Sequence, residues 1–334
     1  MNAKKMLNKL THRTEFYLFI TFIVLCFVIQ FASDGRLFVP NTVVTMLRAM
    51  VILGMFALVN LMVVISGGFD LSFPAIAALA YSATVAILLR MSWSTETVWA
   101  AFVISGVIGL VLGMLNGFLI SYFKLNAMIV TLGTQTLFLG ITLGPFQFPE
   151  VTSTLPRGLV TFGELYLFEV FNAQGHRATM TAAFIPFVLL AVVVWFVLNR
   201  TMFGRSLYAI GGNEASAERA GINVKMTKFI LYSLVGFTAG LIGMLRVTMA
   251  RQSIPMGLIG WDLMVIPAVI LGGASIYGGV GTVFGTLTAV ALVTVVTNSL
   301  LLVGINTYWQ DFFYGLVVIV GITVSAVQAR RKRI

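Results

Sequence analysis

Few residues in this sequence are of types that carry out covalent chemistry, and none has the spacing that an enzyme requires. The chain has one cysteine, Cys26, and two histidines, His12 and His176, which are too far apart to suggest a metal cluster. The glycine-rich stretch 278–281 lacks the lysine of a phosphate-binding loop, and neither H-E-x-x-H nor a Ser/His/acid set occurs. These residue types favour a protein that is not an enzyme and that holds no metal or cofactor of its own.

Asp70 is the ionisable residue whose position is most informative. It lies close to the end of an apolar stretch, where a carboxylate marks a pathway, a charge pair or a helix cap. Ser72 and Pro74 follow it, and this order is typical of a helix start with free backbone N–H groups. The sequence leaves two interpretations open, a structural cap and a role in gating.

Uncharged polar residues are scattered through the apolar stretches. In lipid such groups need partners, so hydrogen bonds between helices are their ordinary role. A subset of them is also suited to line a path for a neutral polyol, which needs donors and acceptors but no fixed counter-charge. Together with Asp70, the candidates for a pathway or a gate are Asn60, Ser72, Asn116, Thr131, Thr134, Gln135 and Asn298.

The elements that must position these residues are apolar helices. Of 334 residues, 59% are hydrophobic and only 10% are charged, whereas about 25% are charged in a soluble domain. About 20 apolar residues cross a membrane as a helix, and this length predicts an all-α, polytopic, single-domain protein (residues 1–334) with about ten spans. The predicted spans are 16–32, 43–66, 73–90, 97–122, 127–145, 178–198, 227–249, 258–277, 280–303 and 308–327. The glycine-broken stretch 258–285 is also compatible with a re-entrant segment.

The basic residues predict the orientation of the spans. If both termini are cytoplasmic, the predicted inner side carries most of the 21 lysines and arginines, and every lysine. The net charge of +10 therefore reports topology, and we expect no nucleic-acid partner. The longest inner loop is then about 199–226. The longest outer loop is about 146–176, where a short surface helix is expected. This loop is either a docking site for a substrate-delivering partner, which we favour, or a passive connector.

The inner loop contains a polar stretch, 201–221, that predicts a short helix. Asn213 is a good N-cap, Glu214 and Arg219 suit the two ends of the helix dipole, and Gly221 suits the left-handed position after it. A helix this short is not stable alone. Another part of the assembly must therefore pack on its small side chains, Ala215, Ala217 and Ala220. We expect that face to be exposed to solvent in the isolated chain. The pattern favours either a helix that docks on a soluble partner or a capped surface turn.

Four blocks in the sequence resemble the permease subunits of sugar-type ABC importers, the family of the ribose permease. They are the stretch 201–221, Ser66-Gly-Gly-Phe-Asp-Leu-Ser72, Ile129-Val-Thr-Leu-Gly-Thr134 and the glycine-rich block 271–286. They occur in the family's order, and the resemblance covers about 45–325. Members of that family transport pentoses, hexoses and related small polar molecules such as the autoinducer-2 signal.

The resemblance implies a bacterial inner-membrane protein that works in an assembly. Two permease chains, identical or paralogous, would form the translocation unit in membrane lipid. A separate ATPase with two nucleotide sites would bind ATP and Mg, and an extracytoplasmic binding protein would deliver the substrate. The residues implied to couple this chain to the ATPase are Asn213, Glu214, Ala215, Ser216, Ala217, Glu218, Arg219, Ala220 and Gly221.

Two other functions remain open at this stage. One is an ABC permease for branched-chain amino acids or nucleosides, which nothing in the residues excludes. The other is an autonomous secondary transporter or channel. The scarcity of ionisable residues inside the spans argues against the second, because proton-coupled carriers use buried carboxylates or histidines.

Overall fold

A computed structural model describes residues 14–91, 98–146, 148–152, 154–171, 175, 177–310, 312–316, 319 and 323. Most of the chain is helical. In chain order the helices are α1 (Thr14–Ala32), α2 (Pro40–Ile65), α3 (Phe73–Arg90), α4 (Val98–Tyr122), α5 (Ala127–Leu143), α6 (Arg157–Gly163), α7 (Phe184–Arg200), α8 (Met202–Gly212), α9 (Glu214–Arg219), α10 (Val224–Ala250), α11 (Trp261–Leu271) and α12 (Val283–Leu302). A short 3₁₀ turn, Thr307–Trp309, follows α12.

The described helices include five that are long and apolar enough to cross a membrane, namely α2, α3, α4, α10 and α12. The count is six if α7 and α8, which meet at a bend of 71°, form one span. The bounds of α3 equal those of the predicted span 73–90, and the other four helices begin and end within a few residues of their predictions. Much of the last predicted span, 308–327, lies outside the described residues, as do both histidines and both termini.

Helix α2 is the central helix of the bundle. It begins at Pro40, whose fixed φ suits the first turn, and every residue from 51 to 65 is buried. The helices α7, α10, α11 and α12 all pack on it. Such a uniformly apolar and buried helix is typical of the core of a large membrane bundle.

Helices α4 and α10 approach each other closely along a row of glycines, which we call the glycine seam. Four glycines on one face of α4 lie against α10, as the sequence pattern indicated: Gly106, Gly109, Gly113 and Gly117. At Gly236 and Gly240 the two backbones touch directly, and the Ser105 hydroxyl donates a hydrogen bond of 2.7 Å to the Gly240 carbonyl. Close approach of this kind is how helices associate in lipid, where no hydrophobic effect drives them together.

The prediction of a purely helical fold is wrong in the loop 146–176 and just after it. Strand β1 (Tyr166–Phe171) pairs antiparallel with β2 (Arg177–Thr181), so the predicted span 178–198 begins with a strand, and its helix starts only at Phe184. Aromatic and β-branched residues make up most of β1, and β2 contains two threonines, and these residue types suit a pleated surface. The short surface helix expected in this loop is present as α6.

The predicted span 258–277 is also different in the structure. Its helix, α11, has 11 residues, which at 1.5 Å per residue is about 16 Å and too short to cross a membrane. Pro267 lies inside it, and the chain is irregular from Gly272 to Thr282. Side chains of neighbouring helices bond to the irregular chain before α11, as in other broken membrane helices. Arg246 donates to the Gly257 carbonyl at 2.8 Å, and Tyr81 donates to the Ile254 carbonyl at 2.6 Å.

Helix α10 connects two polar ends of the molecule. At its C-terminal end, Arg251 forms a salt bridge of 3.1 Å with Glu164, and Ser253 pairs with Val151 across an isolated bridge. At its N-terminal end, Lys228 forms a salt bridge of 2.7 Å with Glu214. The first end therefore contains the loop that follows α5, and the second contains α8 and α9.

Candidate coupling site

Three glycine backbones meet at the end of the bundle that contains α8 and α9, and we call this contact the glycine junction. Gly67 lies in the loop after α2, Gly211 near the end of α8, and Gly278 in the loop between α11 and α12. A Cβ at Gly278 would come within 2.8 Å of the Cα atoms of both Gly67 and Gly211, and its φ of +85° is one that glycine adopts freely. Side chains are therefore excluded where these three segments touch.

Hydrogen bonds hold the glycine junction together. The Gly279 amide donates to the Ile65 carbonyl at the end of α2, at 2.8 Å. The Tyr208 hydroxyl, on α8, donates to the Gly281 carbonyl, also at 2.8 Å. Both bonds join segments far apart in sequence, so α2, α8 and the loop before α12 form one connected unit.

Helix α8 was not predicted, although its signals are present in the sequence. The Thr201 side chain accepts from the Gly204 amide at 3.1 Å and caps the helix, which begins after the 71° bend from α7. Its buried residues, Gly204, Leu207 and Ile210, have helical spacing. Tyr208, which fixes α8 to the glycine junction, was consequently missed as a site residue.

Helix α9 has the caps that the sequence predicts. The Asn213 side chain accepts from the Ser216 amide at 2.8 Å, and Gly221 follows with a φ of +86°. Salt bridges to Lys228 and Lys124 hold Glu214 and Glu218, the second at 3.8 Å.

The expectation that Ala217 faces solvent is wrong. Its side chain is only 3% exposed and packs with Ile210 of α8 and Val224 of α10. The burial follows from the tight turns on both sides of α9, which fold the helix back on its own chain. The chain itself therefore supplies a packing contact for this short helix. The side chains that it presents to solvent are Glu214, Ala215, Ser216, Glu218 and Arg219, with Ala220 next to them.

A polar cavity of about 480 Å³ lies between α9 and the glycine junction. Its walls include Ser66 and Gly67 on one side and Glu214 and Lys228 on the other, with Asn126 between them. The coupling residues are therefore close to the loop that carries Asp70, although more than 130 positions separate Asp70 from Asn213.

Four of the pathway candidates form a buried hydrogen-bond network. One oxygen of the Asp70 carboxylate accepts from the Ser72 amide at 2.7 Å and from the Ser72 hydroxyl at 2.6 Å. The Asn116 amide donates to the same hydroxyl at 2.7 Å. Thr131 donates to the Phe69 carbonyl and accepts from the Leu71 amide, at 3.2 and 3.1 Å. The loop between α2 and α3 is thus tied to both α4 and α5.

The capping interpretation of Asp70 is visible in these contacts, because its carboxylate accepts an N–H group at the start of α3. Burial raises the pKa of the carboxyl above its ordinary value, and the hydrogen bonds from Ser72 lower it in part. The second carboxylate oxygen has no hydrogen-bond partner among the described residues. A role of Asp70 in gating stays a prediction.

The other pathway candidates do not join this network. The side chains of Asn60 and Asn298 donate to carbonyls of their own helices, at Phe56 and Thr294. Thr134 donates to the Thr131 carbonyl one turn before it, and Gln135 is half-buried on α5. The structure therefore divides the candidates into a group around the loop between α2 and α3 and separate residues inside the bundle.

Apolar helices packed around a buried polar network, with polar loops at two ends, are the features of a multi-pass membrane protein. A family model described as "Branched-chain amino acid transport system / permease component" matches residues 42–322. The chain belongs to this family, and it is a permease component of an ABC import system. The resemblance identified from the four sequence blocks is confirmed.

Relatives in the family are similar along most of the chain. The ribose import permease protein of Bacillus subtilis is 32% identical, with 86% of this chain and 85% of the relative covered. The galactose/methyl galactoside import permease protein of Escherichia coli is 30% identical over the whole of both chains. The D-allose transport system permease protein of Escherichia coli is 30% identical, covering 80% and 76%. No solved structure matches this chain.

Proposed function

We propose that this chain forms the translocation pathway of an importer for a simple sugar in the bacterial cytoplasmic membrane. Relatives named for ribose, galactose and allose, each about a third identical or slightly less, support a monosaccharide as the cargo. Apart from Asp70 and Asp262, the buried polar residues among the described positions are uncharged, such as Asn60 and Asn116, and they suit a neutral polyol. A related small polar solute would use the same groups.

In the proposed topology the chain crosses the membrane about ten times and has both termini in the cytoplasm. The glycine junction and α9 then lie on the cytoplasmic side, and the 146–176 loop lies outside. The uneven distribution of lysines supports this orientation. The outer loop, with α6 and the β1–β2 hairpin, is where the substrate-binding protein docks.

In the proposed assembly two permease chains, identical or paralogous, sit in membrane lipid above an ATPase. The ATPase has two nucleotide sites and binds ATP and Mg, so this chain hydrolyses nothing and carries no cofactor of its own. No nucleic acid takes part.

The observation that carries the coupling mechanism is the contact of Gly211 with two loops at once. Helix α9 presents its exposed side chains to the ATPase and is fixed to α8 through Ala217. The end of α8 touches the loop that leads to Asp70 and the loop that leads to α12. A displacement of α9 by the ATPase is therefore passed directly to the buried polar network and to the broken helix.

A pair of substitutions in α9 tests this mechanism. Tryptophan at the exposed Ala215 should overpack the contact with the ATPase by about 1–3 kcal/mol and weaken assembly about 5- to 140-fold, since 1.4 kcal/mol is a factor of ten. Expression and thermal stability of the isolated chain should be unchanged. Tryptophan at the buried Ala217 should instead destabilise the isolated chain, because it overpacks the chain's own cluster. Ala250→Trp, at an exposed alanine of the opposite end, is the control.

The measurements are copurification of the ATPase, thermal stability of the purified chain and sugar uptake by intact cells. Normal copurification and uptake with Ala215→Trp would show that α9 is not the docking helix. Equal stability of the Ala215 and Ala217 variants would contradict the packing described above.

A second candidate cargo is a branched-chain amino acid, which the description of the family names. Uptake of labelled ribose, galactose and leucine by cells that express this chain with its ATPase and binding protein separates the two candidates. Accumulation of leucine but of neither sugar would replace the first proposal by the second.

A further inference from the structure

One face of α4 is an apolar stripe that ends in aromatic residues. Trp99 is exposed near the start of the helix and Tyr122 at its end, and between them the exposed positions are aliphatic or aromatic, such as Val103, Val111 and Phe118. The 24 residues from Trp99 to Tyr122 span about 35 Å at a rise of 1.5 Å per residue, slightly more than the roughly 30 Å thickness of the hydrocarbon layer. Tryptophan and tyrosine are enriched at both membrane interfaces, so this spacing places Tyr122 at the level of the lipid headgroups.

An open groove begins at this level, between the end of α4 and the start of α10. It has a volume of about 290 Å³. Its apolar walls are Phe118, Tyr122, Met226 and Phe229, and Ser121 and Lys225 supply polar groups. The rings of Phe118 and Tyr122 stack with centroids 5.3 Å apart, and this fixes the wall on the α4 side.

Lys225 provides a positive charge on this groove. Its ammonium lies 3.6 Å from the centroid of the Tyr122 ring, and within the described ranges it forms no salt bridge. The two other lysines at this end differ, since Lys228 pairs with Glu214 and Lys124 with Glu218. An ammonium without a carboxylate partner, at headgroup level and beside exposed rings, is complementary to an anion that has an apolar tail.

We propose that this groove binds an anionic phospholipid. Its phosphate contacts Lys225 and the Ser121 hydroxyl, and an acyl chain lies along Phe118 and the aliphatic stripe of α4. A basic pocket between membrane helices at the interface is the type of site that selects anionic headgroups. The site lies next to the coupling cavity, because Ser121 and Lys225 line both. A lipid bound there stabilises the start of α10, which carries the Lys228 partner of α9.

Native mass spectrometry of the full chain, purified in a mild detergent and mixed with phosphatidylglycerol and phosphatidylcholine, tests the proposal. We expect one phosphatidylglycerol retained per chain in preference to phosphatidylcholine. Lys225→Gln should lower this retention about fivefold, the effect of one lysine near a charged interface. Lys225→Arg keeps the charge and should retain the lipid. The control is Arg200→Gln, which removes an exposed basic residue that is not part of the groove and should change nothing.

Several outcomes would overturn the proposal. Equal retention by Lys225→Gln and the wild type would show that the charge does not select the lipid. Equal retention of both lipids would show that the groove is an apolar surface without a preference for anionic headgroups. Displacement of the lipid by millimolar inorganic phosphate would identify a soluble anion as the ligand. A disulfide between two chains carrying Met226→Cys would show that a second copy covers the groove.

Discussion

Replacing Gly211 by alanine should open the glycine junction while leaving the rest of the bundle in place. A methyl group at this position would overlap with the Ile65 carbonyl oxygen and crowd the Gly279 amide nitrogen. These two atoms are joined by a hydrogen bond of 2.8 Å, so the added carbon pushes against both partners of one bond. All the atoms involved belong to the backbone, and none can move away by changing a rotamer.

The expected loss follows from three contributions. Overpacking costs about 1–3 kcal/mol, and the lost hydrogen bond about 1 kcal/mol. Alanine regains about 0.5–1 kcal/mol in a helix because it has less backbone freedom than glycine to lose. The net destabilisation is therefore about 1–3 kcal/mol. Gly212 is the matched control, because it ends the same helix and no atom lies within 4 Å of a Cβ placed there.

Thermal unfolding of the purified chain and sugar uptake by cells measure the two consequences. Gly211→Ala should unfold at a lower temperature and lose most of its uptake, whereas Gly212→Ala should match the wild type or be slightly more stable. Identical unfolding and uptake for the two variants would refute the close backbone contact at Gly211. Reduced stability with full uptake would refute the coupling role of the glycine junction.

Three further predictions concern the network, the topology and the broken helix. Asp70→Asn should keep much of the uptake, because its amide oxygen still accepts from Ser72, whereas Asp70→Leu should lower the amount of folded protein by leaving those donors unpaired, at about 1–3 kcal/mol. Cysteines placed at Glu164 and Ser216 should be labelled from opposite sides of the membrane, with Glu164 reached from outside in intact cells. Arg246→Gln should weaken the bond to the Gly257 carbonyl and increase protease cleavage between 251 and 260 in the purified chain.

Each of these predictions has an outcome that contradicts it. Normal expression of Asp70→Asn with abolished uptake would favour gating over capping. Labelling of both cysteines by an impermeant reagent in intact cells would refute the topology. Unchanged cleavage of Arg246→Gln would show that other contacts, such as Tyr81 with Ile254, are sufficient to hold the segment.

The features that the sequence could predict are those decided by neighbouring residues. The caps of α9 depend on Asn213 and Gly221, whose preferences act within a few positions, and the structure has both. The start of α3 is similar, because it depends on Pro74 in the first turn and on Asp70, which accepts from the Ser72 amide two positions away. The glycine face of α4 was also predictable, since its spacing is a property of one helix and close packing is its usual use.

The features that the sequence could not predict depend on contacts between distant segments. An alanine such as Ala217 is equally common on the exposed and on the buried face of a helix. Its burial here results from Ile210 and Val224, which pack around it. The stretch 258–277 has enough apolar residues for a span. Its helix is nevertheless short, and side chains from distant segments, such as Arg246, satisfy the irregular backbone before it. Asp70, Ser72, Asn116 and Thr131 come together only in the folded chain, so their grouping could not be predicted from the sequence.

The glycine seam between α4 and α10 has a consequence for the entropy of the bundle. Glycine has no side-chain rotamers to lose, so the two helices associate without the ordering cost that larger interface side chains would add. We therefore expect the pair to move as one rigid unit during transport. We expect the rearrangement that admits and releases the substrate at the 71° bend between α7 and α8 and in the irregular chain beside α11.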